Sequence, residues 1–209
     1  MRLKAVCAGV LVLALGSVAV AVAAAQGQVL PSWRMPLADV ARGTELAENC
    51  GACHGAAGEA LDPTAPRLRH MRASYIFAAL REYAAGTRQS PLMQPAAEGL
   101  SEQDMRDVAQ ALAGQMFDRP PPVRSDLPGY AISQRQCGFC HGETGIGELE
   151  GMPVLTGQDR AYLVAALKAY RAGERGDPTM RDVARGLDDA TIEALAGFYS
   201  AHQWLERLP

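Results

Sequence analysis

Lysine is almost missing from this chain: of its 20 basic residues, only Lys4 and Lys168 are not arginine. A lysine-rich docking face is therefore excluded, and arginine and acidic side chains must steer any partner. Nucleic acid is excluded as well, because no basic stripe occurs and 23 acidic residues bring the formal net charge to −3. Spare cysteine is also lacking. Of five cysteines, Cys7 lies in an apolar leader and the other four fall into two short motifs, leaving none for a disulfide framework elsewhere. Strand-like alternation never persists beyond a few residues, so the coarse pattern is helical.

The leader begins with a short basic stretch, Met1 to Lys4, continues apolar or small from Ala5 to Val22, and ends at Ala23-Ala24-Ala25. This is the form of a secretory signal over residues 1–25, cut near Ala25. Its length would also permit an uncleaved anchor, since about 20 apolar residues span a bilayer. The sequence around Cys7 is a poor lipidation context. Cleavage leaves 18 basic and 23 acidic side chains, a net charge near −5, with Lys168 as the remaining lysine.

The two motifs are Cys50-Gly51-Ala52-Cys53-His54 and Cys137-Gly138-Phe139-Cys140-His141. In an exported chain, C-x-x-C-H reads as covalent attachment of a c-type haem. Thiols separated by two residues reach the two vinyl groups of one porphyrin, and the adjacent histidine then lies beneath the iron. Two haems are expected, held by Cys50, Cys53, Cys137 and Cys140, with His54 and His141 as proximal iron ligands. Disulfides Cys50–Cys53 and Cys137–Cys140, or a four-thiolate zinc site, are the alternatives. Neither has a use for the histidines.

The motifs lie 87 residues apart, and shifting the chain on itself by that distance aligns Cys50–Leu112 with Cys137–Tyr199 without a gap, 22 of 63 positions being identical. Tandem similar domains follow: residues 26–113 and 129–209, joined by a stiff linker at 114–128 that contains Pro120-Pro121-Pro122 and Pro128. Each is small for a free-standing core, a deficit that haem makes up. Helices are expected at Asp39–Asn49, Ser74–Ala85 and Asp159–Ala172, with a shorter one at Tyr130–Gln136. Further helix starts are expected at Ser101 and Asp188, where a capping side chain precedes an apolar run.

A distal ligand should recur at one offset from both proximal histidines. Met93 and Met180 each lie 39 residues after their histidine. A thioether favours ferrous iron and, opposite histidine, gives a relatively high potential. Met71, Met105, Met116 and Met152 do not recur as methionine, and read as core filler or surface. His70 and His202 are rival ligands that read better as surface or end-of-helix residues. Pro66 and Pro153 lie 12 residues after the histidines, where a carbonyl could accept the Nδ1 hydrogen and fix the ring. Arg88 and Arg175 are either partners for haem propionates or solvated. Tyr83 and Tyr170 read as core.

These motifs, the Pro-x-Leu after each, and the segments Tyr83–Met93 and Tyr170–Met180 resemble the dihaem cytochrome c4 family over roughly Val40 to His202. The resemblance implies an all-α fold of two tandem class I cytochrome c domains about a pseudo-twofold axis, each with one covalent haem. It also implies the axial pairs His54/Met93 and His141/Met180. Members are bacterial periplasmic proteins, soluble or loosely membrane-held, that pass electrons toward terminal oxidases or other reductases. The implied role here is an electron carrier rather than an enzyme, taking electrons from a membrane quinol-oxidising complex and delivering them to a redox protein acceptor. One alternative is the haem subunit of a periplasmic dehydrogenase. The other, a dihaem peroxidase, needs an accessible iron that two methionine ligands would deny.

Overall fold

Asp39 leaves the extended backbone and accepts the Arg42 amide on its carboxylate, which starts helix α1 (Val40–Ala47) where the sequence expects one. In the computed structural model the described residues are 37–113, 121–147, 149 and 151–202, and all regular structure among them is helical. The leader, residues 26–36, Met116 and the linker residues 114–120 lie outside them. Among the described residues no helix is long and apolar enough to cross a membrane.

The first lobe continues with a tight 3-10 turn, Glu48–Cys50, into the one-turn helix α2 (Gly51–His54). Helices α3 (Ala73–Ala84), α4 (Met93–Glu98) and α5 (Glu102–Leu112) follow. At Ser101 the expected cap is a full capping box with Asp104. Helix α1 crosses α5 at Gly43, where a Cβ would overlap the Asp107 carbonyl. Ile76, Leu80, Met105 and Val108 form the core beneath. Beside the crossing, buried Asp107 accepts from the Asp39 amide at 2.9 Å and from Gln103 at 2.7 Å, and it pairs with Arg42.

The second lobe repeats the plan. Helix α6 (Tyr130–Ile132) passes into a π-helical turn, Ser133–Cys137, and then α7 (Gly138–His141). Helices α8 (Arg160–Ala172), α9 (Pro178–Arg185) and α10 (Asp189–Ala201) complete it, the last capped by Asp188 as expected. Gly129 takes the part of Gly43, its missing Cβ making room for the Ala194 carbonyl. Leu163, Ile192, Leu195, Phe198 and Tyr199 fill this core. Phe198 meets the Tyr199 ring edge-on at 5.0 Å.

The seam between the lobes obeys the 87-residue repeat. Gln158 clasps the Arg67 backbone, accepting from its amide at 2.6 Å and donating to its carbonyl at 2.9 Å. Shifted by 87, that contact becomes Met71 with Val154, and there the Val154 amide points at the Met71 sulfur at 3.3 Å. Arg88 donates to the Tyr162 hydroxyl at 3.1 Å, and its mate Arg175 donates to Tyr75 at 3.1 Å. Residue i meeting j while the equivalent of j meets the equivalent of i is the mark of a twofold interface. Met71 is thus more than filler: it occupies the seam position that Gln158 holds in the other lobe.

Candidate functional site

Each C-x-x-C-H motif is wound into one helical turn that ends on its histidine, and a glycine with positive φ turns the chain away, Gly55 at 78° and Gly142 at 73°. The turn places both cysteines of a motif beside its histidine. All four thiols are free, Cys53 exposed and Cys50, Cys137 and Cys140 half-buried. Burial pushes the thiols of Cys50 and Cys137 up, offset at Cys137 by the Tyr199 hydroxyl. Among the described residues no cluster of three or more His, Cys, Asp or Glu could hold a metal ion, so the four-thiolate zinc arrangement is not formed.

His54 and His141 are both buried. The Nδ1–H of His54 donates to the Pro66 carbonyl at 3.0 Å, which leaves Nε2 with its lone pair for a ligand role. His141 faces the Pro153 carbonyl without meeting hydrogen-bond geometry, so its Nδ1 is buried and unbonded. Burial lowers the pKa of the His141 ring, and the Pro153 carbonyl and Asp177 counter this only in part. The neutral imidazole that results is the form that binds iron. Met93 opens α4, with its amide on the Ser90 hydroxyl at 3.1 Å, and packs against the first core together with Cys50. Met180 sits in the first turn of α9, its amide capped by Asp177 at 2.8 Å. A soft thioether, a buried histidine and a free dithiol pair recur in each lobe, residue types that fit a c-type haem.

Other sequence expectations resolve differently. His202 ends α10 but is buried rather than on the surface: Nδ1 lies 2.7 Å from the Phe198 carbonyl, and Nε2 accepts the Arg124 amide at 3.3 Å. Both ring nitrogens are used in clamping the linker to α10. His70 occupies a left-handed turn, φ 68°. Met105 is core, as expected. Arg88 and Arg175 are buried, which overturns the solvated alternative. Tyr75 and Tyr162, which recur across the repeat, emerge as their partners at the seam. That recurrence was the signal available in the sequence.

Comparison with known proteins settles the kinship. The cytochrome c family model matches residues 40–112. The thiosulfate dehydrogenase electron acceptor of Thiomonas intermedia is 32% identical over 85% of this chain and 86% of its own. Cytochrome c4 of Stutzerimonas stutzeri is 31% identical over 71% of this chain and 82% of its own. This chain belongs to the cytochrome c4 family. The crystal structure of reduced recombinant cytochrome c4 from Pseudomonas stutzeri superimposes with a TM-score of 0.69 at 28% identity, covering 79% of this chain and all of that one. A cytochrome c4 fold of two tandem class I domains carries covalently bound c-type haem with iron, and its work is electron transfer rather than catalysis.

Proposed function

We propose that this chain is a dihaem electron carrier of the periplasm, exported by its 1–25 leader and built as domains 26–113 and 129–209 on the 114–128 linker. Cys50 and Cys53 with His54 and Met93 would hold one haem through its vinyl carbons and iron, and Cys137 and Cys140 with His141 and Met180 would hold the other. When bound, such a group would supply one-electron redox chemistry. The chain's own contribution is to hold the ligands. The Pro66 carbonyl fixes the His54 ring through Nδ1, the Pro153 carbonyl faces His141, and the Ser90 and Asp177 caps place the helical turns that carry the methionines. Held by both a histidine and a methionine, an iron would have no position open to substrate, which suits electron transfer.

The observation that carries this reading is the recurrence of the whole donor set, two cysteines, histidine and methionine, at one spacing in two matching lobes. Absorption spectra of the purified protein, oxidised and reduced, test it with haem quantified per chain. Two haems, a near-infrared ferric band from methionine sulfur, and indifference to carbon monoxide are expected. One haem, or carbon monoxide binding, would overturn it.

For the electron donor two readings stand. A membrane quinol-oxidising complex feeding a terminal oxidase through this carrier is the first. A periplasmic dehydrogenase is the second, favoured by the breadth of the match to a thiosulfate dehydrogenase electron acceptor. Stopped-flow mixing of the oxidised protein with such a dehydrogenase and thiosulfate separates them, since rapid haem reduction is expected only under the second.

A further inference from the structure

The two donor sets recur at one spacing, but the side chains behind their first cysteines do not match. Cys50 packs against the same apolar core as Leu46 and Leu112. Shifted by 87, those leucines become Ser133 and Tyr199, and Cys137 packs against the core to which Tyr199 belongs. Ser133 is wholly buried and Tyr199 is 3% exposed. Two hydroxyls thus stand in the second lobe where the first has hydrocarbon, and burying a hydroxyl is costly unless it finds a hydrogen-bond partner. Ser133 also opens the π-helical turn that runs into Cys137, and such turns recur at functional positions.

Ser133 has its partners: its hydroxyl donates to the Tyr130 carbonyl at 2.7 Å and accepts from Gln134 at 3.2 Å. Tyr199 lacks them. Its hydroxyl is buried without a partner in hydrogen-bond geometry, although the ring is held in place. Phe198 meets that ring edge-on, and a Cβ at Gly145 would lie 2.7 Å from it. The polar groups the hydroxyl faces are the Cys137 thiol and Ser133. Burial, and after it the thiol, hold the phenol far above its ordinary pKa, so it keeps its proton and remains a donor. On Cys137 it acts against burial, in the sense expected of an O–H directed at sulfur.

We propose that Tyr199 is a positioning residue of the second donor set: its hydroxyl donates to the Cys137 sulfur in the holoprotein and raises the reduction potential of the second lobe alone. This inference rests on the dihaem reading above. A sulfur joined to carbon on both sides has no proton of its own but remains a weak acceptor. Ser133 already shares its oxygen between two hydrogen bonds, which leaves that sulfur as the freer acceptor. The positive end of an O–H dipole held there favours the reduced iron, which carries one positive charge fewer. At the two corresponding positions the first lobe has Leu46 and Leu112, and therefore no hydroxyl.

The test is spectroelectrochemical titration of the holoprotein, with each potential assigned to its lobe through the single variants Met93→His and Met180→His. Tyr199→Phe keeps the ring and removes the hydroxyl. Its second-lobe potential is expected to fall by about a threefold change in a one-electron equilibrium, ~28 mV at about 59 mV per tenfold, with the first unchanged. Tyr199→Leu, which copies Leu112, is expected to fall by the same amount. A readout on the unaltered chain carries the test if neither variant loads haem: a carbon–sulfur stretching band in the resonance Raman spectrum is expected to shift in D2O, and none shifting would refute the hydrogen bond. Haem per chain is measured first. One haem in the unaltered chain would sink the dihaem reading itself. Two haems with an unmoved second potential in Tyr199→Phe, or with an equal fall in both lobes, would sink the role of Tyr199 alone.

Discussion

At the scale of single residues, the first lobe depends on one close approach and one buried charge. Gly43 lets α1 lie against the Asp107 carbonyl. Gly43→Ala therefore forces the helices apart, at a cost of about 1–3 kcal/mol, read as a lower midpoint in denaturant. Asp107 itself is almost wholly buried. Burial works to raise its pKa, but the Asp39 amide, Gln103 and Arg42 together hold its carboxyl below the ordinary value. A carboxylate depressed in the folded state stabilises the fold above its unfolded pKa, about 3.9, and that stability is lost as pH falls through the lower folded value. Asp107→Asn should lower stability at neutral pH by about 1–3 kcal/mol and flatten the acid side of the stability profile, which thermal melts from pH 2 to 7 would show. At this scale the sequence was legible where the repeat spoke: Tyr75 and Tyr162 recur at the 87-residue offset, and both stand at the seam bonded to an arginine of the other lobe. It was silent on Asp107, whose equivalent is Ala194, because a buried ion pair that occurs in one lobe has no periodic signature.

At the scale of elements, the two lobes differ by one residue. Cys50 lies seven positions after the crossing glycine Gly43, while Cys137 lies eight after Gly129. The π-helical turn Ser133–Cys137 absorbs the difference, since a π turn accommodates one residue more than an α turn, and the first lobe makes the same passage through a tighter 3-10 turn. Deleting the exposed Gln136 should convert the π turn to α-helix while keeping both the Gly129 crossing and the place of Cys137. Haem per chain is expected to remain at the wild-type value. Deleting Glu48, where no slack exists, should cost the first lobe its haem. Helix positions were readable from caps and apolar spacing, to within a residue at both ends of α3 and α8 and at the starts of α5 and α10. The π turn was not readable, because the gapless match begins at Cys50 and the extra residue lies just before the aligned stretch.

At the scale of the whole molecule, the question is what makes two lobes behave as one. The seam joins polar contacts, Gln158 on Arg67 and the crossed Arg88–Tyr162 and Arg175–Tyr75 bonds, to an apolar one in which Val154 of the second lobe enters the first core beside Met71. Arg72 departs from the symmetry: from the end of the loop before α3 its guanidinium reaches into the second lobe and donates to the Ile146, Gly147 and Met152 carbonyls. Those carbonyls belong to the loop that follows the second haem motif, so Arg72 fastens one lobe to the other beside the proximal side of His141. Its equivalent is Asp159, which instead pairs with Arg67 at 3.2 Å. A hydrogen bond from a charged donor contributes roughly 1.5–3 kcal/mol, so losing three acceptors at once removes a large share of the coupling between the lobes. Wild-type protein is accordingly expected to unfold in one calorimetric transition. Arg72→Ala should separate it into two, with the second lobe melting first because the Ile146, Gly147 and Met152 carbonyls lose their anchor. The same variant should leave both haems attached and both Soret bands in place at room temperature, since Arg72 touches neither donor set. A single transition at unchanged temperature would mean that the crossed Arg88–Tyr162 and Arg175–Tyr75 bonds, not Arg72, couple the lobes.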